Sequence, residues 1–122
     1  MTYYTKEHEW LSCDGDVATI GITQHAADAL GDVVFIEVSP EGKPLAAEGT
    51  AAVVESVKAA SEIYAPVAGT IVAANPLVAA DPSLVSSDPE GEGWILKLKL
   101  ANIADLEGLM DRAAYDAFLA ES

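Results

Sequence analysis

The primary amine of Lys58 is the group in this sequence whose surroundings best suit a chemical role. The stretch 51–57 before it and the stretch 61–64 after it both have the pattern of short strands, so the lysine falls at the tip of a predicted hairpin. A lysine that acts as a nucleophile needs a desolvated site that lowers its pKa, and a hairpin tip does not offer one. The position therefore favours either an ordinary solvated charge or an exposed attachment point for a covalently bound group.

The neighbours of Lys58 favour the attachment point. Val57 and the two alanines that follow the lysine are small or apolar, and no other lysine or arginine occurs between Lys43 and Lys97. The amine is thus presented alone on a tight tip, where a modifying enzyme can reach it and recognise the shape of the backbone. This geometry suits a lysine that another enzyme modifies, and the rest of the sequence has to decide between this interpretation and an ordinary solvated charge.

Other catalytic and metal-binding patterns are absent from the sequence. The single cysteine, Cys13, cannot form a Cys-x-x-Cys pair, and the two histidines, His8 and His25, are not spaced as zinc ligands. The glycines of the run 91–93 are flanked by acids, which would repel a phosphate group. The sequence therefore predicts neither a catalytic residue nor a metal site, and it predicts that His25 lies on the surface or in ordinary packing.

The chain is strongly acidic. It has 122 residues, and 20 acids against 6 lysines and arginines give a formal net charge of −14. Such a surface repels nucleic acid and anionic membranes and attracts partners with basic surfaces. No apolar run is long enough to span a bilayer, and the first residues lack the pattern of a signal or transit peptide, so a cytoplasmic location is expected. The length favours a single domain over residues 1–122.

Short runs of β-branched and apolar residues, separated by glycine and proline, predict a mostly β chain. Besides the two strands of the hairpin, the predicted strands are 16–22, 32–38, 70–74 and 94–100, and the Asp14-Gly15 turn predicts a further strand before it. In the last of these, alternation predicts that Trp94 shares the inner face with three leucines, while Lys97 and Lys99 face solvent. Strands this short suggest a sandwich or a barrel.

Two capping signals predict short helical segments in the body of the chain. Thr23 can cap a helix over 24–30, and Gly31 can end it in a left-handed conformation. Further along, Asp81 followed by Pro82 can begin one helical turn. Both segments are short, so the fold stays mostly β.

The character of the sequence changes after residue 101, where a helical appendage is predicted. A short helix over 104–110 is followed by a second over 112–120, which Asp111 can cap. The second helix carries an apolar stripe, which predicts that it packs on the body of the domain. The stripe consists of Tyr115, Phe118 and Leu119.

Short motifs are distributed along nearly the whole chain. They are EHEW at 7–10, VATIGIT at 17–23, ALGDVVF at 29–35, ESVKA at 55–59, APVAG at 65–69 and DPEGEGW at 88–94. Taken together and in this order, they closely resemble the H proteins of the glycine cleavage system, which are lipoyl carriers. The chain departs from the family pattern in one loop, where Glu90 follows the Asp-Pro pair and two serines stand where asparagine is frequent.

The resemblance implies a biotinyl/lipoyl-like barrel-sandwich of short strands, with a few small helices and the C-terminal helical appendage. It implies that Lys58 carries lipoate in amide linkage, attached by a lipoate ligase or an octanoyltransferase. The arm of such a carrier takes an aminomethyl group from glycine decarboxylase (P protein) and delivers it to aminomethyltransferase (T protein). Dihydrolipoyl dehydrogenase (L protein) then reoxidises the arm. The chain is expected to be a carrier and not an enzyme, because it contributes proximity and makes no bond itself.

The resemblance also gives two acids a candidate role. The aminomethyl cargo bears an amine that is cationic at neutral pH. Glu9 and Glu62 are predicted to hold that amine in a surface groove through charge-assisted hydrogen bonds. The alternative is that both acids are simply solvated.

Three related kinds of carrier are alternatives to an H protein. A biotin carrier usually has methionines beside its lysine, and Val57 and Ala59 occupy those places. A lipoyl domain of a 2-oxoacid dehydrogenase usually has aspartate before the lysine and is followed by a linker and a catalytic domain. A stand-alone H-like protein that relays lipoyl groups to other proteins would have the same lysine and hairpin, so the sequence leaves that alternative open.

Overall fold

The computed structural model describes residues 2–121. This part of the chain forms nine strands, four α-helices and one 3₁₀ helix. The strands are β1 (Thr2–Tyr4), β2 (Glu9–Asp14), β3 (Val17–Ile22), β4 (Val33–Val38), β5 (Pro44–Leu45), β6 (Thr50–Ser56), β7 (Ala60–Tyr64), β8 (Gly69–Ala74) and β9 (Leu96–Leu100). The helices are α1 (Gln24–Leu30), α2 (Pro76–Ala80), α3 (Leu84–Ser87) and α4 (Arg112–Glu121), and the 3₁₀ helix is Ile103–Gly108.

The strands form two antiparallel sheets, which confirms the prediction of a mostly β fold. The larger sheet has six strands in the order β1-β2-β3-β9-β8-β5, and the smaller has three in the order β4-β6-β7. Their aliphatic side chains form one core, in which Leu11, Ile20, Val54 and Leu98 are fully buried. Burial of this apolar surface is the main force that holds the sheets together.

The β6–β7 hairpin confirms the predicted strands on both sides of Lys58. At the tip, Glu55 lies opposite Ala60, and β4 pairs with the other edge of β6. Val54 and Ile63 anchor the hairpin in the core. The lysine therefore projects from a three-stranded sheet whose position is fixed by packing.

The helices α1 and α4 begin where their capping residues predict. Thr23 Oγ1 accepts the amide of Ala26 at 3.4 Å, and Asp111 Oδ1 accepts the amide of Ala114 at 2.8 Å. At the end of α1, Gly31 has a φ of 77°, a conformation that favours glycine. Local sequence signals thus fix both ends of α1 and the start of α4.

The segment after β8 differs from the prediction. Asn75 ends the strand as expected, but it also caps α2, which the sequence analysis did not predict. Its Oδ1 accepts the amide of Leu77 at 2.9 Å, and Pro76 occupies the first position of the helix. The predicted turn at Asp81 forms, but α3 begins only at Leu84.

The position of Trp94 corrects the alternation predicted for the last strand. β9 begins at Leu96; its leucines are buried and Lys99 is exposed, as predicted. Trp94 lies before the strand, where its carbonyl accepts the side-chain amide of Asn75 at 2.7 Å. Lys97 is only half-exposed, because its amine lies 5.2 Å from the centroid of the Trp94 ring in a cation–π contact.

The C-terminal appendage packs on the body of the domain, as its apolar stripe predicts. Tyr115 is buried and stacks on Tyr4 with 4.9 Å between ring centroids. Phe118 and Leu119 pack against the same cluster, which also contains Trp10. The short segment before α4 is a 3₁₀ helix and not an α-helix. Among residues 2–121, no helix is both long enough and apolar enough to cross a bilayer.

Candidate functional site

The tip of the β6–β7 hairpin is a tight turn held by Ser56. The Ser56 amide donates to the carbonyl of Ala59 at 2.8 Å, and its hydroxyl donates to the same carbonyl at 3.0 Å. The hydroxyl oxygen also accepts the amides of Lys58 and Ala59, at 3.2 and 3.1 Å. One small side chain therefore satisfies the polar groups of the tip and fixes its backbone shape.

Lys58 is exposed at this tip, and its side chain extends over the end of α1. A Cβ atom placed on Gly31 would lie 3.5 Å from the Lys58 Cε and 3.7 Å from its Nζ. Within residues 2–121, the Lys58 amine takes part in no hydrogen bond or ion pair. The amine is thus accessible to an enzyme, and no contact in the described chain depends on its charge.

The surface beneath the lysine side chain is tied to α3 by Ser86. The Ser86 hydroxyl donates to the carbonyl of Gly31 at 3.1 Å and accepts the amide of Val33 at 2.8 Å. On the other side, the amide of Val57 donates to the carbonyl of Asp32 at 3.0 Å. The segment 31–33 is therefore joined both to the hairpin tip and to a helix of the body.

Glu9 is buried at the end of β7 that lies farthest from the tip. Its Oε2 accepts the amide of Tyr64 at 2.7 Å, and its Oε1 accepts the hydroxyl of Thr5 at 3.2 Å. Only 2% of the residue is exposed. Burial raises the pKa of Glu9 to about 7, although the hydrogen bonds from Tyr64 and Thr5 act in the opposite direction. Near neutral pH the carboxyl group is therefore close to the change between its neutral and its charged form.

Glu62, unlike Glu9, is exposed on the outer face of β7. Its Oε2 accepts the hydroxyl of Tyr64 at 3.1 Å, and its Oε1 accepts the hydroxyl of Thr50 at 3.4 Å. The hydrogen bond and the charge of Glu62 raise the pKa of the Tyr64 hydroxyl. Tyr64 thus contacts both acids, Glu9 through its backbone amide and Glu62 through its hydroxyl.

A cavity of about 520 Å³ opens beside Glu9. Its charged lining is Lys6, Glu7, Glu9 and Glu48, and Tyr64 forms part of its wall. The five residues of β7 separate this cavity from the tip by roughly 15 Å, given about 3.3 Å per residue in a strand. The structure therefore places the lysine and the buried acid at opposite ends of β7, with Glu62 between them.

Three polar residues that shape the site were not predicted from the sequence: Ser56, Ser86 and Tyr64. Ser56 has a local signal, because a serine two residues before a tip lysine can hydrogen-bond the backbone of the turn. Ser86 has no such signal, because its partner Gly31 lies 55 residues away. Tyr64 has no local signal either, because its partner Glu9 is also 55 residues away in the sequence.

The rings of the two histidines lie in contact, with 4.5 Å between their centroids and an angle of 40° between their planes. His8 Nδ1 also lies 2.8 Å from the hydroxyl of Tyr115. Burial, and then the nearby charge of His25, lower the pKa of His8. Within residues 2–121, no group of three or more His, Cys, Asp and Glu side chains is arranged to hold a metal ion.

A two-sheet β domain that presents one lysine on a tight hairpin tip has the architecture of a carrier for a covalently attached group. Residues 2–122 match the family model of the glycine cleavage H-protein. Two relatives named glycine cleavage system H protein, each aligned over 98% of both chains, are 57% identical (Phenylobacterium zucineum) and 55% identical (Bradyrhizobium diazoefficiens). The crystal structure of a glycine cleavage system H protein from Mycobacterium marinum has a TM-score of 0.87 at 30% identity, over 98% of this chain and 96% of that chain.

The chain therefore belongs to the glycine cleavage H-protein family. This membership confirms the resemblance seen in the sequence motifs. It also confirms the predicted function at the level of the system: the chain is a lipoyl carrier subunit that works with the other components of glycine cleavage. The family does not fit the alternatives of a biotin carrier or a 2-oxoacid dehydrogenase domain.

Proposed function

We propose that Lys58 is the residue that carries lipoate, in amide linkage through Nζ. The observation that supports this most directly is the accessible amine on a tip whose backbone is fixed by Ser56. Amide formation removes the positive charge of the amine. Since the amine makes no ion pair within residues 2–121, its modification costs the described part of the fold no stabilising contact.

In the proposed cycle the chain visits glycine decarboxylase, aminomethyltransferase and dihydrolipoyl dehydrogenase, after a lipoate ligase or an octanoyltransferase has modified Lys58. When bound, lipoate supplies a dithiolane that takes up an aminomethyl group. The residues of this chain then act without catalysing a step: Ser56 fixes the base of the arm, and Ser86 fixes the surface beneath it. The chain thereby contributes proximity to each partner in turn.

We further propose that Glu9 and Glu62 hold the cationic amine of the cargo. The two acids share contacts with Tyr64, and Glu9 adjoins a cavity large enough for a small group. A cation in this cavity would favour the charged form of Glu9, because an opposite charge nearby offsets the cost of burying the carboxylate. Glu62 lies on the outer face of β7 between the tip and the cavity, so it would contact an arm that follows this strand.

The attachment is tested by the intact mass of the protein after incubation with an acylating enzyme and its substrate, followed by peptide mapping. We expect one octanoyl or lipoyl increment on Lys58 and none in Lys58→Arg. Lys43→Arg, at another exposed lysine, is the matched control and is expected to be modified fully. An increment that persists in Lys58→Arg, or a wild-type chain that stays unmodified, would contradict the assignment.

The role of the acids is tested by the rate at which the loaded, purified protein loses its aminomethyl group without any enzyme. We expect this loss to be roughly tenfold or more faster in Glu9→Gln, because a hydrogen bond to a charged group contributes about 1.5–3 kcal/mol. Glu62→Gln is expected to have a smaller effect of about two- to fivefold, because Glu62 is exposed. Glu37→Gln, an exposed acid on β4, is the control. Unchanged lifetimes in both variants would show that the acids are only solvated or structural.

Two broader expectations are also proposals. Residues 1–122 are proposed to form a single domain, and the continuous core shared by both sheets supports this. A cytoplasmic location is proposed because the relatives described above come from bacteria and the carrier must meet several enzymes in turn. Cell fractionation with detection of the modified chain would test the location.

A further inference from the structure

Three large apolar side chains are exposed around the hairpin tip. Val57 precedes the lysine and is 67% exposed, while Val34 and Phe35 at the start of β4 are 55% and 47% exposed. We call these three residues the tip patch. Large apolar side chains that gather at one place on an acidic surface commonly mark an interaction site.

A β-bulge explains why two consecutive residues of β4 are both exposed. In a regular strand neighbouring side chains point to opposite faces, so one of Val34 and Phe35 would be buried. The pairing of β4 with β6 shifts register between Val33 and Phe35, which releases Val34 from the ladder. Bulges re-aim side chains next to functional sites. The exposure of this pair is therefore a property of the backbone.

The outer face of the small sheet continues the tip patch with acids. Phe35 lies directly opposite Glu55, and cross-strand partners share a face. The same face carries Glu37 opposite Val53, and Val53 lies opposite Glu62 on the other side. Glu37, Glu55 and Glu62 are all exposed. The surface behind the tip is thus apolar at its end and negatively charged along its length.

The geometry points to the tip patch as the docking surface for the enzyme that acylates Lys58, through an apolar contact surrounded by basic side chains of that enzyme. This inference rests on the proposed attachment of lipoate to Lys58. The basic surround is expected because the face behind the patch carries three acids.

The reach of the lysine explains why the acylating enzyme, rather than the later partners, needs this patch. Before modification, the amine stands on a stem of four methylene groups, so the acylating active site must come down onto the tip itself. Val57 and Phe35 then lie within the contact area. After modification, the arm extends well beyond the tip, and an enzyme that acts on its far end can work without covering these residues.

The tip patch supplies no reacting group to the acylation of Lys58. The unprotonated Nζ attacks the carbonyl carbon of an acyl thioester or an acyl adenylate, and a C–N bond forms. The bond from that carbon to the thiol sulfur or the phosphate oxygen breaks, and the leaving group takes the electron pair. The nitrogen releases one proton. The patch contributes only to the binding of the protein substrate.

The test compares the acylation rate of apo variants at increasing protein concentration, with octanoyl or lipoyl substrate held constant. Phe35→Ser and Val57→Ser are expected to lower kcat/KM by about tenfold or more through a higher KM, as truncation of a central interface residue does. Ile103→Ser, on the 3₁₀ helix, removes a side chain whose exposure of 54% lies between those of Phe35 and Val57, and it is expected to behave as wild type. Thermal melting of every variant checks that it is folded, and Val57 lies outside any strand, so its variant remains informative if Phe35→Ser unfolds.

A second measurement separates docking of the acylating enzyme from other roles. After prolonged acylation with lipoate, the variants are reduced, and their reoxidation by dihydrolipoyl dehydrogenase is expected to match that of the wild type. Equal acylation of wild type and patch variants would overturn the inference, and so would an equal loss in Ile103→Ser. Slower reoxidation, or faster loss of cargo with normal acylation, would instead assign the patch to later partners or to the arm. If the wild-type chain is not acylated on Lys58, the proposed function itself is wrong. Normal acylation of the patch variants would contradict only the docking surface, so the two failures are distinguishable.

Discussion

Two opposing effects act on the pKa of the Glu9 carboxyl group. Burial favours its neutral form, whereas the amide of Tyr64 and the hydroxyl of Thr5 donate hydrogen bonds that favour the carboxylate. A group in this position responds to any charge brought into the neighbouring cavity. At the scale of single residues, this makes Glu9 the acid whose protonation state should depend most on whether cargo is bound.

The raised pKa of Glu9 predicts how its contribution to stability changes with pH. Because the pKa rises from 4.5 to about 7 on folding, the contribution is fully present below the unfolded pKa and is lost as the pH rises through about 7. The wild type should therefore lose stability relative to Glu9→Gln as the pH rises from about 4 to about 8. At roughly 1.36 kcal/mol per pKa unit, the difference in free energy of unfolding should shift by up to about 3 kcal/mol in favour of the variant. Chemical denaturation at a series of pH values measures this. The exposed control Glu37→Gln should show little of this trend, and a flat difference for Glu9→Gln would contradict the burial argument.

At the scale of elements, α4 is fastened to the body by Tyr115. The Tyr115 hydroxyl lies 2.8 Å from both His8 Nδ1 and Thr23 Oγ1, so it joins α4 to the loop before β2 and to the cap of α1. Glu90 strengthens the same junction, because it accepts the amide of Gln24 at 2.8 Å and pairs with α4 through Arg112. The residue that departs from the family pattern thus has a clear contact role in this chain.

Removal of the Tyr115 hydroxyl should destabilise the whole domain. Tyr115→Phe leaves the aromatic packing in place but removes one partner from each of two groups, His8 and Thr23. We expect a loss of about 1–3 kcal/mol in the free energy of unfolding, the usual cost of leaving buried polar groups unsatisfied. Tyr3→Phe is a suitable control, because the Tyr3 hydroxyl makes no hydrogen bond within residues 2–121. Denaturant titration of the two variants measures the difference, and equal stabilities would show that the junction is held by packing alone.

At the scale of the whole molecule, the net charge of −14 places the exposed Lys58 on a strongly acidic molecule. The charge opposes association with nucleic acid and favours enzymes with basic entrances. It acts over distances near the Debye length, so it should affect the encounter with every partner of the carrier and not only one contact.

Salt should therefore weaken the recognition of the loaded carrier. We expect the KM of dihydrolipoyl dehydrogenase for the lipoylated protein to rise several-fold between about 20 mM and about 500 mM NaCl, because screening shortens the range of the attraction. Free lipoamide, a neutral substrate for the same enzyme, is the control and should keep its KM. If both substrates respond alike, the effect belongs to the enzyme and not to the charge of the carrier.

The sequence determined the features that depend on local signals. Two short runs with the pattern of strands, one on each side of Lys58, predicted the hairpin, which the structure confirms over β6 and β7. Thr23 and Asp111 predicted the starts of α1 and α4, because each side chain bonds to an amide only three residues away, and Gly31 predicted the end of α1 through its positive φ. The order of the motifs indicated the family, which the comparisons confirm.

The tertiary structure decided the features that depend on partners distant in the chain. The burial of Glu9 and its contact with Tyr64 arise only when β2 meets the end of β7, and the support of Gly31 by Ser86 spans a similar separation. Local alternation was wrong for Trp94, because this residue lies before β9 and its carbonyl bonds to the side chain of Asn75, which is 19 residues away in the sequence. Local sequence signals are enough to place Lys58 at the tip of a hairpin. The environment of the acids depends on how the two sheets pack, and the exposure of the tip patch depends on the bulge between β4 and β6.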